Sequence, residues 1–180
     1  MILVQIQQIN TAKVLLQSAS TLALQLEKSF RVLSFVDGDE LVEGRAHELK
    51  MFLSEQNLAD TKIIVRNTKR NTLPDVCEEL DALFLFIQMP DSNSGSIRKY
   101  LSACRDLRIP YLFYKDTFDA LDLTRVLLPI GFLEEELEKA QFASAFGRFC
   151  KSEIIMLLTN DYGSKATINA EKMKLLFDKF

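Results

Sequence analysis

Few residues of this chain have types and spacing that suit chemistry, and each one has a structural explanation beside its chemical one. Gly95-Ser96 stands where a helix begins, after the apolar run ALFLFI. A glycine there lets backbone N–H groups approach an anion, and the helix dipole adds a favourable field. The same two residues also make an ordinary turn and cap for the orphan N–H groups of the helix. His47 is the only histidine and lies in the charged stretch EGRAHELK, as a solvated surface residue would. Asp37, Asp39 and Glu40 could form an acidic metal cluster, but acids between a strand and a helix are normal helix-start chemistry. Glu134-Glu135-Glu136 reads the same way, in the first turn of a helix. Phe142, Phe146 and Phe149 recur at helical spacing and are expected in a core or an interface. No acid, base and nucleophile combine into a catalytic set, so the reading is of a protein that is not an enzyme, with no metal.

The elements that must position these residues alternate along the chain. Ile2 to Ile6 reads as a strand, and apolar Val14, Leu15, Ala19, Leu22, Ala23 and Leu26 mark the helix after it. RVLSFV (Arg31 to Val36) is a second strand, with a helix over Leu41 to Leu53. Lys62 to Val65 is a third, and Thr72-Leu73-Pro74 opens a short helix through Leu80. Ala82 to Ile87, almost wholly apolar, is a strand covered on both faces. A helix over about Ser96 to Leu107 leads past Pro110 to a fifth strand, Tyr111 to Tyr114. Strands joined this way through helices predict a doubly wound, Rossmann-like α/β domain with a parallel five-stranded sheet.

Beyond a polar link the pattern restarts. RVLLPI (Arg125 to Ile130) resembles ILVQI, Leu16, Ala19 and Ala23 map onto Ala140, Ala143 and Gly147, and RVLSFV finds a counterpart in EIIMLL (Glu153 to Leu158). A last helix is expected over about Asn169 to Phe180. The organisation read from this is a domain over 1–116, a linker over 117–124 and a partial second copy over 125–180. A two-stranded fragment leaves unpaired edges and bare apolar surface, so it must dock somewhere.

Composition narrows the functional classes. Of 180 residues, 48% are hydrophobic and 26% charged, enough apolar material for a real core. The net charge of −3 gives no basic field to hold a nucleic acid backbone. Cys77, Cys104 and Cys150 are odd in number and widely spaced, which fits neither a disulfide framework nor a zinc site. No stretch approaches the ~18 apolar residues of a membrane span, and MILVQIQQINTAK lacks the basic and apolar regions of a signal peptide. A cytoplasmic location is expected.

The element order, the segment SGSIRKYLSACRDLRIPYLFY (Ser94 to Tyr114) and the restart RVLLPIGFLEEELEKAQFASAFGRF together resemble the universal stress protein family. In that family a Gly-Ser opens the last helix and a proline precedes the last strand. Members that bind ATP carry an Asp just after the first strand and a loop of the form G-x-x-G, nine residues, then G-[ST]. Here Gln7 and Gly131 stand at the Asp positions. Of the loop only Gly95-Ser96 remains, Pro90 lacks a donor, and Asp91 places negative charge where phosphate would sit.

The resemblance therefore implies a non-catalytic stress-response module that dimerises or binds a protein partner, with the ATP loop largely lost and no required cofactor. Its expected contact is the sheet edge at Tyr111, Leu112, Phe113 and Tyr114. The alternative is a sensor of ATP or another nucleotide, held where Gln7, Val36, Gln88, Ser94, Gly95 and Ser96 converge, beyond the carboxyl ends of the strands. A phosphorelay receiver has the same layout but needs acids where this chain has Gln7-Gln8 and Asn67.

Overall fold

The computed structural model describes residues 1–89, 97–159 and 163–179. The chain divides into two compact units, Met1–Ala120 and Leu121–Phe180. Among the described residues no helix is long and apolar enough to cross a membrane.

The first unit runs β1 (Ile2–Gln5), α1 (Lys13–Gln25), β2 (Phe30–Val36), α2 (Val42–Glu55), β3 (Lys62–Asn67), α3 (Leu73–Glu79), β4 (Phe84–Met89), α4 (Ile97–Ala103) and β5 (Tyr111–Lys115). Its strands form one parallel sheet in the order β3-β2-β1-β4-β5. This is the doubly wound, Rossmann-like α/β arrangement expected from the alternation. The chain walks outward from β1 to β3 and then returns past β1 to lay down β4. The reversal opens a crevice at the carboxyl ends of β1 and β4.

Each face of the sheet is closed by the apolar stripe of its helices. On one side α1 packs against β1, β2 and β4, and α2 against β2 and β3. The stripe of α1 is Leu15, Leu16, Ala19, Leu22 and Ala23, all buried at the helical spacing visible in the sequence. On the other side Leu3, Leu33, Leu85 and Ile87 of the strands meet Val76 and Cys77 of α3 and Cys104, with Tyr100, Tyr111 and Phe113 packed against them. Thr72 and Asp75 cap α3 reciprocally, side chain to backbone in both directions, and Pro74 sits in the first turn.

Helices α1 and α2 end without glycine. Glu27 and Asn57 take positive φ of 54° and 59°, so that Lys28 N–H reaches the Ala23 carbonyl and Leu58 N–H the Leu53 carbonyl, both at 2.8 Å. This is the closure a glycine usually supplies, because a Cβ crowds the left-handed region.

The second unit holds β6 (Arg125–Ile130), α5 (Lys139–Cys150), β7 (Glu153–Leu158) and α6 (Lys165–Phe177), with β6 and β7 in a two-stranded parallel sheet. Its core gathers Leu128, Ile130, Ala140, Ala143, Ala170 and Met173. Both strands have the bounds read from the sequence. One expectation is corrected. Helix α6, expected from about Asn169, begins at Lys165, and Asn169 lies inside it, 3% exposed. Its Nδ2 donates to the carbonyls of Gly131 (3.1 Å) and Leu133 (2.9 Å), a tertiary role that overrides its local preference for helix starts. Of the core or interface expected for the phenylalanines of α5, the core of the second unit does not take them in. Phe142 and Phe149 are exposed, Phe146 is half-buried, and the small Ala140 and Ala143 make the contact with the sheet.

Candidate functional site

The carboxyl ends of β1 and β4 bring Gln7 and Gln88 together. Gln88 is wholly buried. Its Oε1 accepts the backbone N–H groups of Gln7 (2.8 Å) and Gln8 (2.9 Å), the two donors that leave β1. Its Nε2 donates to the Gln8 carbonyl (2.9 Å), Thr11 Oγ1 (3.0 Å) and Asp116 Oδ1 (2.9 Å). One amide thus occupies the switch-point crevice and uses both of its ends there. A phosphate at the same place would need the two N–H groups that Gln88 already holds, and would face the Asp116 carboxylate. At this one place, then, the backbone donors that could receive an anion are held by the Gln88 amide.

The wall behind this contact is polar and fully bonded. Arg45 of α2 donates from Nε to Ser34 Oγ (2.9 Å) and from Nη2 to the Gln7 carbonyl (2.7 Å), and Nη1 lies 3.4 Å from Glu48. Ser34, itself buried on β2, donates to the Ile6 carbonyl (2.9 Å). The planar guanidinium reaches two acceptors at once, which a lysine could not do in this geometry.

On the α4 side of the crevice a cleft of about 770 Å³ remains. Gln7, Val36, Asp37, Thr68, Lys99 and Tyr100 are among its lining residues. Tyr100 donates to Gln7 Oε1 (3.3 Å), and Thr68 donates to Asp37. The structure thus brings Gln7 and Val36 to one cleft and turns Gln88 into the adjoining crevice. Ser94, Gly95 and Ser96 lie outside the described residues.

The remaining candidates are dispersed. His47 is exposed on α2. Asp39 is held by Asn67 Nδ2 (2.9 Å) and by Arg70 (3.0 Å), so the acids after β2 organise their own loop. Among the described residues no cluster of His, Cys, Asp or Glu could hold a metal. Glu134 and Glu136 pair with Lys172 and Lys139, in a 3-10 turn before α5. Cys77 and Cys104 are buried, and burial pushes both thiols upward, Cys77 to about 11 with further help from Cys104. Such thiols are protonated and inert at neutral pH.

Among the described residues β5 is a sheet edge, paired with β4 alone. The side chains of Tyr111 and Phe113 pack inward on the α3/α4 face, Leu112 is half-buried, and Tyr114 is 3% exposed with its hydroxyl beside Ser18 Oγ (3.0 Å). What the edge offers outward is therefore backbone.

Sequence reasoning missed Arg45, Ser34, Thr11 and Asp116, whose roles arise from partners distant in the chain. The available signal was Gln88 itself, a polar residue closing an otherwise apolar buried strand.

Fold and site define a Rossmann-like α/β unit whose switch point is filled by its own side chains. No protein-family model matches the chain, and no curated protein matches it.

Proposed function

We propose that the protein is a universal-stress-like module of the stress response that works by association and not by catalysis. The observation that carries this is the Gln88 side chain in the crevice where related folds place a ligand phosphate. On this reading the sheet serves as a rigid scaffold in a reducing, cytoplasmic setting. Its contact is a homodimer or a protein partner paired along the backbone of β5, Tyr111 to Tyr114. A parallel sheet ending in an unpaired ladder favours that mode, since added strand pairing satisfies the outer N–H and C=O groups.

The cleft beside Lys99 favours a second reading, a nucleotide sensor. It is large enough for a small molecule, and Lys99 adds a cation to a lining that also includes Gln7 and Val36. Titration calorimetry with ATP and Mg²⁺, run beside sedimentation velocity at micromolar protein, separates the two. The association reading expects no heat up to millimolar ATP and a dimeric mass. Micromolar ATP affinity would replace it with the sensor reading, and a monomeric mass would end the homodimer.

A further inference from the structure

Within the second unit both helices, α5 and α6, lie on one face of the sheet, and among the described residues no helix of that unit lies on the other. Leu128 and Ile130 of β6 turn toward α5 and α6, and Ile154 and Met156 of β7 pack with them. The alternate residues, Arg125, Leu127 and Pro129 on β6 and Glu153, Ile155 and Leu157 on β7, turn the other way. Leu127 is 60% exposed and Leu157 47% exposed. In the first unit the matching strands bury Leu3 and Leu33 completely, beneath α3 and α4. Parallel sheets have both faces covered almost without exception, so an open face of this composition calls for an occupant.

The pairing register shows which occupant fits. Arg125 lies directly across from Glu153, Leu127 from Ile155, and Pro129 from Leu157. A two-fold axis parallel to the strands, placed above this face, keeps strand direction and lays β6 of one copy over β7 of the other. Arg125 then meets Glu153 of the second copy, Glu153 meets Arg125 of the second copy, and both apolar rows meet each other. Opposite charges at mirrored positions make the patch complementary to itself, as an isologous interface requires. Neither charge forms an ion pair within the chain among the described residues.

We infer that the bare β6/β7 face binds the same face of a second copy of this chain. Two six-residue strands span about 20 Å by 10 Å, well below the ~800 Å² per partner of a standard interface. The association is therefore weak, with a dissociation constant on the order of 100 µM.

This contact is separate from any pairing through β5. Sedimentation equilibrium of the full chain, from about 10 µM to about 1 mM, reads it directly. Leu127→Glu is expected to remove the concentration-dependent rise in mass while leaving any tight β5 dimer in place. Arg125→Glu and Glu153→Arg each weaken association at least about tenfold. An equimolar mixture of those two variants restores it, because every cross-copy charge pair is then complementary. Circular dichroism confirms that each variant is folded, and Leu127→Ser substitutes for Leu127→Glu if the latter is not. Constant mass across the range, association untouched by both Leu127 variants, or a mixture no better than its components would overturn the inference.

Discussion

The backbone N–H of Gln7 donates to Gln88 Oε1 at 2.8 Å, while Gln7 Nε2 donates to the Gln88 carbonyl at 3.1 Å. Gln7, two residues past the end of β1, thus donates twice to Gln88 of β4, from backbone to side chain and from side chain to backbone, across the point where the strand order reverses. In a Rossmann-like sheet that point is ordinarily kept for ligand, with backbone donors left free to receive it. Here the N–H groups of Gln7 and Gln8 are satisfied within the chain by the Gln88 amide.

Gln88→Ala leaves the N–H groups of Gln7 and Gln8 and the Asp116 carboxylate without this partner, in a place water reaches poorly. A loss of about 3 kcal/mol is expected in urea unfolding. Gln88→Glu should be worse near neutral pH, since a carboxylate cannot donate to Thr11 or Asp116. The defect should shrink as pH falls and the buried acid takes up a proton. Equal stability of the two variants at every pH would contradict this account.

Tyr114 joins β5 to α1 through Ser18 Oγ at 3.0 Å, and its hydroxyl also donates to the Asp119 carbonyl. Tyr114→Phe keeps the ring packing and removes both bonds. It should cost about 1 kcal/mol, seen as a fall in melting temperature of about 4 °C. No shift would mean that solvent replaces both partners.

Asp75 titrates below its usual range because the Thr72 hydroxyl and backbone N–H both donate to its carboxylate. A carboxylate with a depressed folded pKa stabilises the fold above its unfolded value, near 3.8, and that contribution disappears as pH drops through the folded value. Asp75→Asn should therefore be less stable than the parent at pH 6, with the gap closing below pH 3. A gap constant over that range would rule out the cap as its source.

Cys77, with its thiol near 11, and Cys104, also raised, share the core under α3. Both should resist a thiol-exchange reagent at about pH 8 and react promptly once urea unfolds the chain. Because the unfolded thiols ionise first, stability should also decline above pH 9, and Cys77→Ala should flatten that alkaline limb. Rapid labelling of Cys77 in the native state would disprove its burial.

Much of this architecture is legible in the residues because it depends on short-range pattern. Apolar runs such as RVLLPI and EIIMLL mark β6 and β7 to the residue, and the spacing of Leu15, Ala19 and Leu22 gives the buried stripe of α1. Thr72, Pro74 and Asp75 announce the start of α3, since capping involves neighbours only. What tertiary structure decided involves partners far apart in the chain. Gln88 meets Gln7 and Gln8 only when β4 is laid beside β1, so nothing local to QMP shows that its amide fills the crevice. Asn169 looks like a helix start until the Gly131 and Leu133 carbonyls are placed beside it. The bare row of Leu127 and Leu157 became visible only when both helices of the second unit settled on one face. Periodicity specifies which face of an element is apolar, whereas the meeting of elements specifies what covers it.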